Sequence, residues 1–246
     1  MSNSVSGGAA HSPQIKPHLK MQVPPKVVAL GDSLTYGYGD WEQGGWVDRL
    51  KRYWMKPNDQ GLPNPVLYNL GVRGDTIRQT HARLDFEFKQ RGELRNQLPH
   101  LLLLSFGVND SARLGKPDGR HFVPFAEFQS HLGTLLDDAK ALSPVLFLGM
   151  VPVNESKMPF MDAFFFTQED QYLYKEATRL ACQERGIPYL DIFEIWRQRG
   201  QDWINERLME DGLHPNPLGY EALFGDILAW PALEMVYDAA LQALKI

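Results

Sequence analysis

Two short segments of the chain carry the residue types that nucleophilic catalysis requires. Ser33 lies in the sequence Gly-Asp-Ser-Leu at 31–34, and His214 lies in Asp-Gly-Leu-His-Pro at 211–215. A serine hydroxyl is a weak nucleophile at neutral pH unless a base takes its proton, and imidazole, with an ordinary pKa of about 6.5, suits that task. An aspartate bonded to the other imidazole nitrogen fixes the tautomer. The pattern therefore predicts Ser33 as nucleophile, His214 as base and Asp211 as the residue that orients the base.

Attack of a serine on a carbonyl also requires hydrogen-bond donors for the oxyanion that forms. The backbone N–H groups of Ser33 and Gly74 are candidates, because a glycine lets a substrate approach the main chain closely. Asn109, in Gly-Val-Asn-Asp at 107–110, is a candidate for a third donor through its side-chain amide. The predicted site thus draws on segments that are distant from one another in the chain.

Each of these residues also has a structural interpretation that involves no catalysis. A serine after a strand often caps the following helix, and Asp75 is placed to cap the helix that follows it. The dipeptides at 211–212 and 109–110 are typical of polar turns. Among the other histidines, His121 lies in a loop and remains an alternative base. A shared site is favoured over two separate caps and two separate turns if the fold brings these segments to one edge.

Short apolar runs that alternate with amphipathic stretches are the elements that would position these residues. Strands are predicted at 27–30, 65–69, 101–106, 145–148 and 187–190, and helices at 45–55, 125–142 and 168–185. Such alternation predicts parallel βαβ units in a three-layer α/β/α sandwich of about five strands, with the Pro188 strand at an edge. Ligands bind outside the carboxyl ends of such strands, and the candidate segments at 31–33, 71–75 and 107–110 follow the first three strands.

Length, charge and composition limit the classes of function. The chain has 246 residues, a net charge of −5 and one cysteine, Cys182. No basic cluster favours nucleic-acid binding, and no apolar run approaches the ~20 residues that span a bilayer. Residues 1–23 are expected to form a flexible arm without the apolar core of a signal peptide, and residues 24–246 to form one domain. A cytoplasmic location is the expectation that follows.

Side chains that contact the substrate are harder to identify from sequence. The candidates are Asp32, Arg73, Met158 and Phe164. The last two belong to an apolar segment at 151–166, which follows the fourth predicted strand at the active edge. Two interpretations of this segment stay open: it lines an acyl pocket or lid, or it packs against a second copy of the chain in a homo-oligomer.

Four sequence blocks resemble the SGNH, or GDSL-type, serine hydrolase family of esterases and lipases. They occur in the family's order, at 28–35, 69–76, 107–110 and 211–216. The resemblance implies a flavodoxin-like sheet and no metal or organic cofactor. The reaction it implies is hydrolysis of a small-molecule carboxylic ester through an acyl-enzyme on Ser33, with either a short-chain acyl ester or a lipase- or lysophospholipase-like substrate. It also implies that Ser33, Gly74 and Asn109 form the oxyanion hole. Arg73 departs from the family pattern, because a small residue such as serine is frequent at that position.

Other functions use similar residues or the same fold. An acyltransferase, or a deacetylase acting on a sugar ester, would use the same triad. A non-catalytic binding module on this fold is a further alternative, because a fold does not determine a function. A nucleotide- or flavin-binding protein is disfavoured, since Gly-Val-Arg-Gly at 71–74 is accompanied by neither a dinucleotide fingerprint nor a Walker lysine.

Overall fold

Five parallel strands form the central sheet in the computed structural model of the chain, which describes residues 24–56, 64–93 and 97–234. The strands of the described residues are β1 (Lys26–Gly31), β2 (Val66–Gly71), β3 (Leu101–Ser105), β4 (Arg113–Leu114), β5 (Val145–Leu148), β6 (Phe164–Phe165) and β7 (Tyr189–Leu190). The main sheet has the order β2-β1-β3-β5-β7, and all its pairs are parallel. The predicted arm at 1–23 lies outside the described residues.

Burial explains which runs become strands. Every residue of β1, β3 and β5 is buried, as expected for parallel strands that are covered on both faces. Within the described residues strand β7 pairs only with β5, so the prediction that the Pro188 strand lies at an edge of the sheet is confirmed there. An edge position tolerates a residue without a backbone N–H because no second neighbour requires it.

Helices cover both faces of this sheet. They are α1 (Ser33–Tyr36), α2 (Gly45–Trp54), α3 (Ile77–Gln90), α4 (Phe125–Leu142), α5 (Gln168–Glu184), α6 (Ile192–Arg199), α7 (Gln201–Asn205) and α8 (Pro217–Leu228). Helix α4 packs between α3 and α5, while α2 packs against α8. The predicted three-layer α/β/α sandwich is confirmed, and within the described residues no helix is long and apolar enough to cross a bilayer.

A second, two-stranded sheet was not predicted. Strands β4 and β6 pair antiparallel, with Arg113 opposite Phe165 and Leu114 opposite Phe164. The chain enters β6 through a tight turn in which Met161 and Asp162 both have positive φ, at 50° and 58°. Two-residue strands carry no hydrophobic periodicity, and this turn lacks the Asn-Gly or Asp-Gly signal of such turns.

The register of the three strands at the middle and edge of the sheet brings their carboxyl ends level. Gly31 at the end of β1 lies opposite Gly71 of β2 and Ser105 of β3. A Cβ atom at Gly31 would lie 1.9 Å from the carbonyl oxygen of Ser105, so only glycine fits here. The close approach lets three loops converge at one edge, as the sequence predicts.

Candidate active site

Ser33 is the first residue of helix α1, directly after strand β1. The helix is capped by Asp32, whose carboxylate accepts a hydrogen bond from the backbone N–H of Leu34 at 2.9 Å. The interpretation of Ser33 as a capping residue is therefore wrong, and its hydroxyl has a different partner. Ser33 Oγ lies 3.0 Å from Nε2 of His214, and both side chains are buried. A hydroxyl and an imidazole at this distance are placed for proton transfer.

His214 is held by a short hairpin between helices α7 and α8. Its carbonyl oxygen accepts from the backbone N–H of Met209 at 2.8 Å, and Leu208 pairs with Pro215 in an antiparallel bridge. Asn216 caps the N-terminus of α8, and its side-chain amide donates to the carbonyl of Leu208 at 3.0 Å. The main chain on both sides of the histidine is thus fixed, and the ring keeps its direction toward Ser33.

Asp211 supports the other side of the imidazole. Its Oδ2 lies 2.7 Å from Nδ1 of His214, while Oδ1 accepts the backbone N–H groups of Leu213 at 2.9 Å and His214 at 3.0 Å. Burial acts to raise the pKa of the Asp211 carboxyl, but these hydrogen bonds outweigh it and hold that pKa below its ordinary value. The ionised carboxylate accepts the Nδ1 proton, which leaves Nε2 with a lone pair facing Ser33.

Two of the three predicted oxyanion donors, Gly74 and Asn109, lie on loops that touch each other. Gly74 has φ +81° and is exposed, and a Cβ atom there would meet open space. The position therefore needs glycine for its backbone conformation, not for lack of room. Asn109 Nδ2 donates to the carbonyl oxygen of Asp75 at 2.8 Å. Because an amide carries two N–H groups, one donor of Asn109 remains for a ligand.

Arg83, a residue that sequence reasoning missed, anchors this pair of loops. Its guanidinium donates to the carboxylate of Asp75 at 2.7 Å and to the carbonyl oxygens of Leu70 and Gly31, each at 2.8 Å. Arg83 thus connects the carboxyl ends of β1 and β2 to Asp75, whose carbonyl oxygen accepts the hydrogen bond from the Asn109 amide. A long-range contact of this kind leaves no local pattern in the sequence.

The cap of helix α3 differs from the predicted one. Thr76, not Asp75, caps the helix, in a capping box with Gln79. The carboxylate of Asp110 also accepts the backbone N–H of Ile77 at 3.0 Å. The signature Thr-x-x-Gln at 76–79 would have identified this cap, because a capping box needs a glutamine or glutamate at that spacing.

Asp32 is a buried structural carboxyl in the described fold, although it was predicted as a substrate contact. It is 2% exposed and is absent from the walls of the cleft described below. Burial, with the nearby carboxyls of Asp110 and Asp75, raises the pKa of Asp32 to about 7, against the opposing hydrogen bond from Leu34. Burial likewise raises the pKa of Asp110 to about 7. Two acids that are hard to ionise therefore lie below the site.

The raised pKa of Asp32 predicts a pH dependence of stability. The folded state holds this proton more tightly than the unfolded chain, where the pKa is near 3.8. The contribution of this proton to the free energy of unfolding is complete below pH 3.8 and is lost as the pH rises through about 7. We expect Asp32→Asn, which cannot ionise, to lose less free energy of unfolding between pH 5 and pH 8 than the wild type, as measured by urea denaturation.

The matched control is Asp202→Asn, at an exposed position of α7. This variant should show the same change in unfolding free energy between the two pH values as the wild type. If Asp32→Asn also matched the wild type, the Asp32 proton would not be linked to folding.

A cleft of about 720 Å³ opens beside His214. It is lined by Tyr38, Trp41, Arg73, Phe160, Met161, Leu208, Met209, Glu210, Asp211 and Asn216. Two of the wall residues contact the imidazole: the ring centroid of Tyr38 lies 4.7 Å from that of His214, and the ring of Phe160 lies 5.8 Å from it. Aromatic rings, methionines and a leucine make most of this wall apolar.

Of the three remaining predicted substrate contacts, one lines the cleft and two do not. Arg73 lies in the cleft wall, with its guanidinium carbon 3.9 Å from the ring centre of Tyr38. Met158 and Phe164 do not line the cleft; both are half-buried against the core, and Phe164 packs on Phe122. The segment at 151–166 instead contributes Phe160 and Met161 to the cleft.

Other wall residues were missed because their role depends on tertiary contacts. The one available signal was that some of them lie next to the catalytic motifs in the sequence: Tyr38 follows the Ser33 segment, and Leu208 and Met209 precede Asp211. His121, the alternative base, bonds Asp170 at 2.8 Å beside the small β4–β6 sheet. Within the residues that the structure describes, no group of three or more His, Cys, Asp or Glu side chains is arranged to hold a metal ion.

Comparisons with known proteins agree with this fold. The profile of the GDSL-like Lipase/Acylhydrolase family matches residues 29–222. The GDSL esterase/lipase CPRD49 of Arabidopsis thaliana is 28% identical over 83% of this chain and 77% of its own length. The isoamyl acetate-hydrolyzing esterase 1 homolog of Rattus norvegicus is 25% identical over 85% of this chain and 82% of its own.

Among solved structures, a lipase/acylhydrolase from Enterococcus faecalis superimposes with a TM-score of 0.65 and 23% identity, over 83% of this chain and 94% of that one. That similarity supports the fold. The family profile begins within β1 at residue 29 and ends within α8 at residue 222, so it covers the four sequence blocks apart from Val28, the first residue of the first block. The chain therefore belongs to the GDSL-like lipase/acylhydrolase family and is a carboxylic ester hydrolase.

Proposed function

We propose that the chain hydrolyses esters of short acyl groups through an acyl-enzyme on Ser33. The observation that carries the proposal is the hydrogen-bonded series from Asp211 to His214 to Ser33, at 2.7 Å and 3.0 Å. This series joins a buried hydroxyl to a base whose tautomer is fixed. It supports nucleophilic catalysis rather than direct attack of water.

In the first step, Ser33 Oγ attacks the ester carbonyl carbon while Nε2 of His214 takes the hydroxyl proton. The carbonyl oxygen becomes an oxyanion, to which the N–H groups of Ser33 and Gly74 and the free amide N–H of Asn109 donate. The carboxylate of Asp211 stabilises the imidazolium. Collapse of the tetrahedral intermediate breaks the bond to the alcohol oxygen, and His214 returns the proton to the leaving alcohol.

In the second step, water attacks the acyl group on Ser33 and gives its proton to Nε2 of His214. A second tetrahedral intermediate forms at the same donors. Its collapse releases the carboxylic acid, and the proton returns to Ser33 Oγ. An alcohol in place of the water would yield a new ester, so the acyltransferase alternative uses the same intermediate.

The walls of the cleft support an ester with an apolar group. Tyr38 and Phe160 present apolar surface beside the imidazole. Met161 adds to the same cleft wall, and Trp41 there is 75% exposed. A volume of about 720 Å³ is within the range of small-molecule sites. The similarity to an isoamyl acetate-hydrolyzing esterase homolog points in the same direction, toward a short acyl chain on a branched or linear alcohol.

A fluorophosphonate probe tests the nucleophile directly. We expect the wild type to lose esterase activity in proportion to labelling, and mass spectrometry to find the phosphonyl group on Ser33. The variant His214→Ala should label far more slowly, because the hydroxyl then has no base. Label on another serine, or full ester hydrolysis by the fully labelled enzyme, would contradict the proposal.

The same preparation distinguishes the alternative activities. Acetyl, butanoyl and longer esters of simple alcohols are compared with an acetylated sugar, and product analysis is repeated with added acceptor alcohols. Free acid as the main product from the simple esters supports the proposed hydrolysis. Faster release from the acetylated sugar would favour a deacetylase, and new esters as the main product would favour an acyltransferase.

A further inference from the structure

Arg73 presents an unused guanidinium in the wall of the cleft. Within residues 24–56, 64–93 and 97–234, its side chain has neither an ion-pair partner nor a hydrogen-bond partner. Arg83 and Arg49, by contrast, are paired with Asp75 and Asp40, at 2.7 Å and 2.8 Å. Arg73 lines the cleft, so its N–H donors are available to a ligand there.

Contact with the ring of Tyr38 restricts the movement of this guanidinium. Its central carbon lies 3.9 Å from the ring centre, which places the planar group against one face of the phenol ring. A stacked guanidinium keeps its edge free for hydrogen bonds and loses less rotational freedom when a ligand binds. Arg73 is therefore prepared to bind a planar acceptor.

The position of Arg73 relates it to the reacting centre. It precedes Gly74, the proposed oxyanion donor, and it stacks on the ring that contacts His214 at 4.7 Å. A substrate whose ester carbonyl lies at Ser33 can therefore extend a second group to the guanidinium. The edge of a guanidinium matches a carboxylate, with two parallel N–H···O bonds.

We propose that Arg73 binds a carboxylate of the substrate, so that the preferred esters are half-esters of dicarboxylic acids or acyl esters of hydroxy acids. The proposal rests on the proposed function and adds the class of substrate. One negative charge fits better than the two of a phosphate, because the carboxylates of Glu210 and Asp211 line the same cleft and offset the positive charge of Arg73.

The experiment compares each carboxylate ester with a neutral ester of the same shape. Monoethyl succinate carries its carboxylate on the acyl side, and it is paired with ethyl 4-methylpentanoate, in which an isopropyl group replaces the carboxylate. The ester 4-acetoxybutanoate carries its carboxylate on the alcohol side, and it is paired with 4-methylpentyl acetate, in which an isopropyl group replaces the carboxylate. Acid release is followed in a pH-stat for the wild type, Arg73→Met and Arg73→Lys.

We expect the wild type to have the higher kcat/KM for the charged ester in at least one pair. In Arg73→Met the ratio of charged to neutral kcat/KM should fall about tenfold, mostly through KM, since a hydrogen-bonded charge pair is lost. Arg73→Lys should recover part of the ratio. Added salt should lower the ratio in the wild type more than in Arg73→Met, because it screens the exposed pair.

The result shows which side of the ester carries the carboxylate. A ratio below one in both pairs for the wild type would overturn the proposal. So would an equal loss on charged and neutral esters in Arg73→Met, because Arg73 would then act through Tyr38 and not on a substrate charge. Failure of the proposed function looks different: no ester is hydrolysed, or hydrolysis survives full labelling of Ser33.

Discussion

Replacing Ser33 with alanine is expected to lower kcat for ester hydrolysis at least about 10⁴-fold, because the substitution removes the atom that forms the acyl-enzyme. The fold should be retained. Asp32 provides the cap of α1, and the carbonyl oxygen of Ser33, which accepts from the backbone N–H groups of Gly37 and Tyr38, is kept in the variant. The side chain makes one hydrogen bond among the described residues, to His214, so its loss should cost about 1 kcal/mol of stability or less.

The measurement is kcat on a chromogenic acetyl ester, with urea denaturation as the test of folding. Ser143→Ala provides the matched control: it also removes a serine hydroxyl, but at the end of α4, on the opposite edge of the sheet. That variant should retain the wild-type kcat. Comparable rates for Ser33→Ala and the wild type would show that Ser33 is not the nucleophile.

Much of the fold could be predicted because it depends on local patterns. Buried parallel strands are continuous apolar runs, so β1, β3 and β5 are visible directly in the sequence. Helix α4 begins and ends at the predicted residues, since its apolar positions recur at helical spacing. Strand ends then follow from topology, which is why the segments of Ser33 and Asn109 could be assigned to one edge before their contacts were known.

The parts that were missed depend on contacts between distant residues. Arg83 holds Gly31, Leu70 and Asp75 together, yet in sequence it is one polar residue of an amphipathic helix. The turn before β6 places Met161 in the cleft through a backbone conformation that methionine rarely adopts. Neither feature can be inferred from residue types or spacing alone, because each depends on how separate segments pack.

The local geometry of Asp211 leads to the second large effect. Its Oδ1 accepts two backbone N–H groups, from Leu213 and His214, and only Oδ2 faces the imidazole. In Asp211→Asn the side-chain oxygen must keep the backbone bonds, because the NH₂ group cannot accept them. The amide N–H therefore points at Nδ1 of His214, and the imidazole proton is forced onto Nε2.

An imidazole with its proton on Nε2 donates to Ser33 and cannot act as its base. We therefore expect kcat of Asp211→Asn to fall about 10⁴-fold at neutral pH, with little change in KM. The rate of fluorophosphonate labelling at Ser33 should fall in parallel, since both reactions need the same proton transfer. Unfolding in urea should change little, because the two backbone hydrogen bonds persist.

Asp138→Asn is the matched control, because it also removes a carboxylate from a histidine. Asp138 lies 2.8 Å from His81 on the exposed surface of α3 and α4, away from the cleft. Its kcat should equal that of the wild type. A loss smaller than about tenfold in Asp211→Asn would contradict the tautomer argument, since it would mean that the imidazole keeps Nε2 free without the carboxylate. A large loss of activity in both variants would instead point to a general effect of charge or folding.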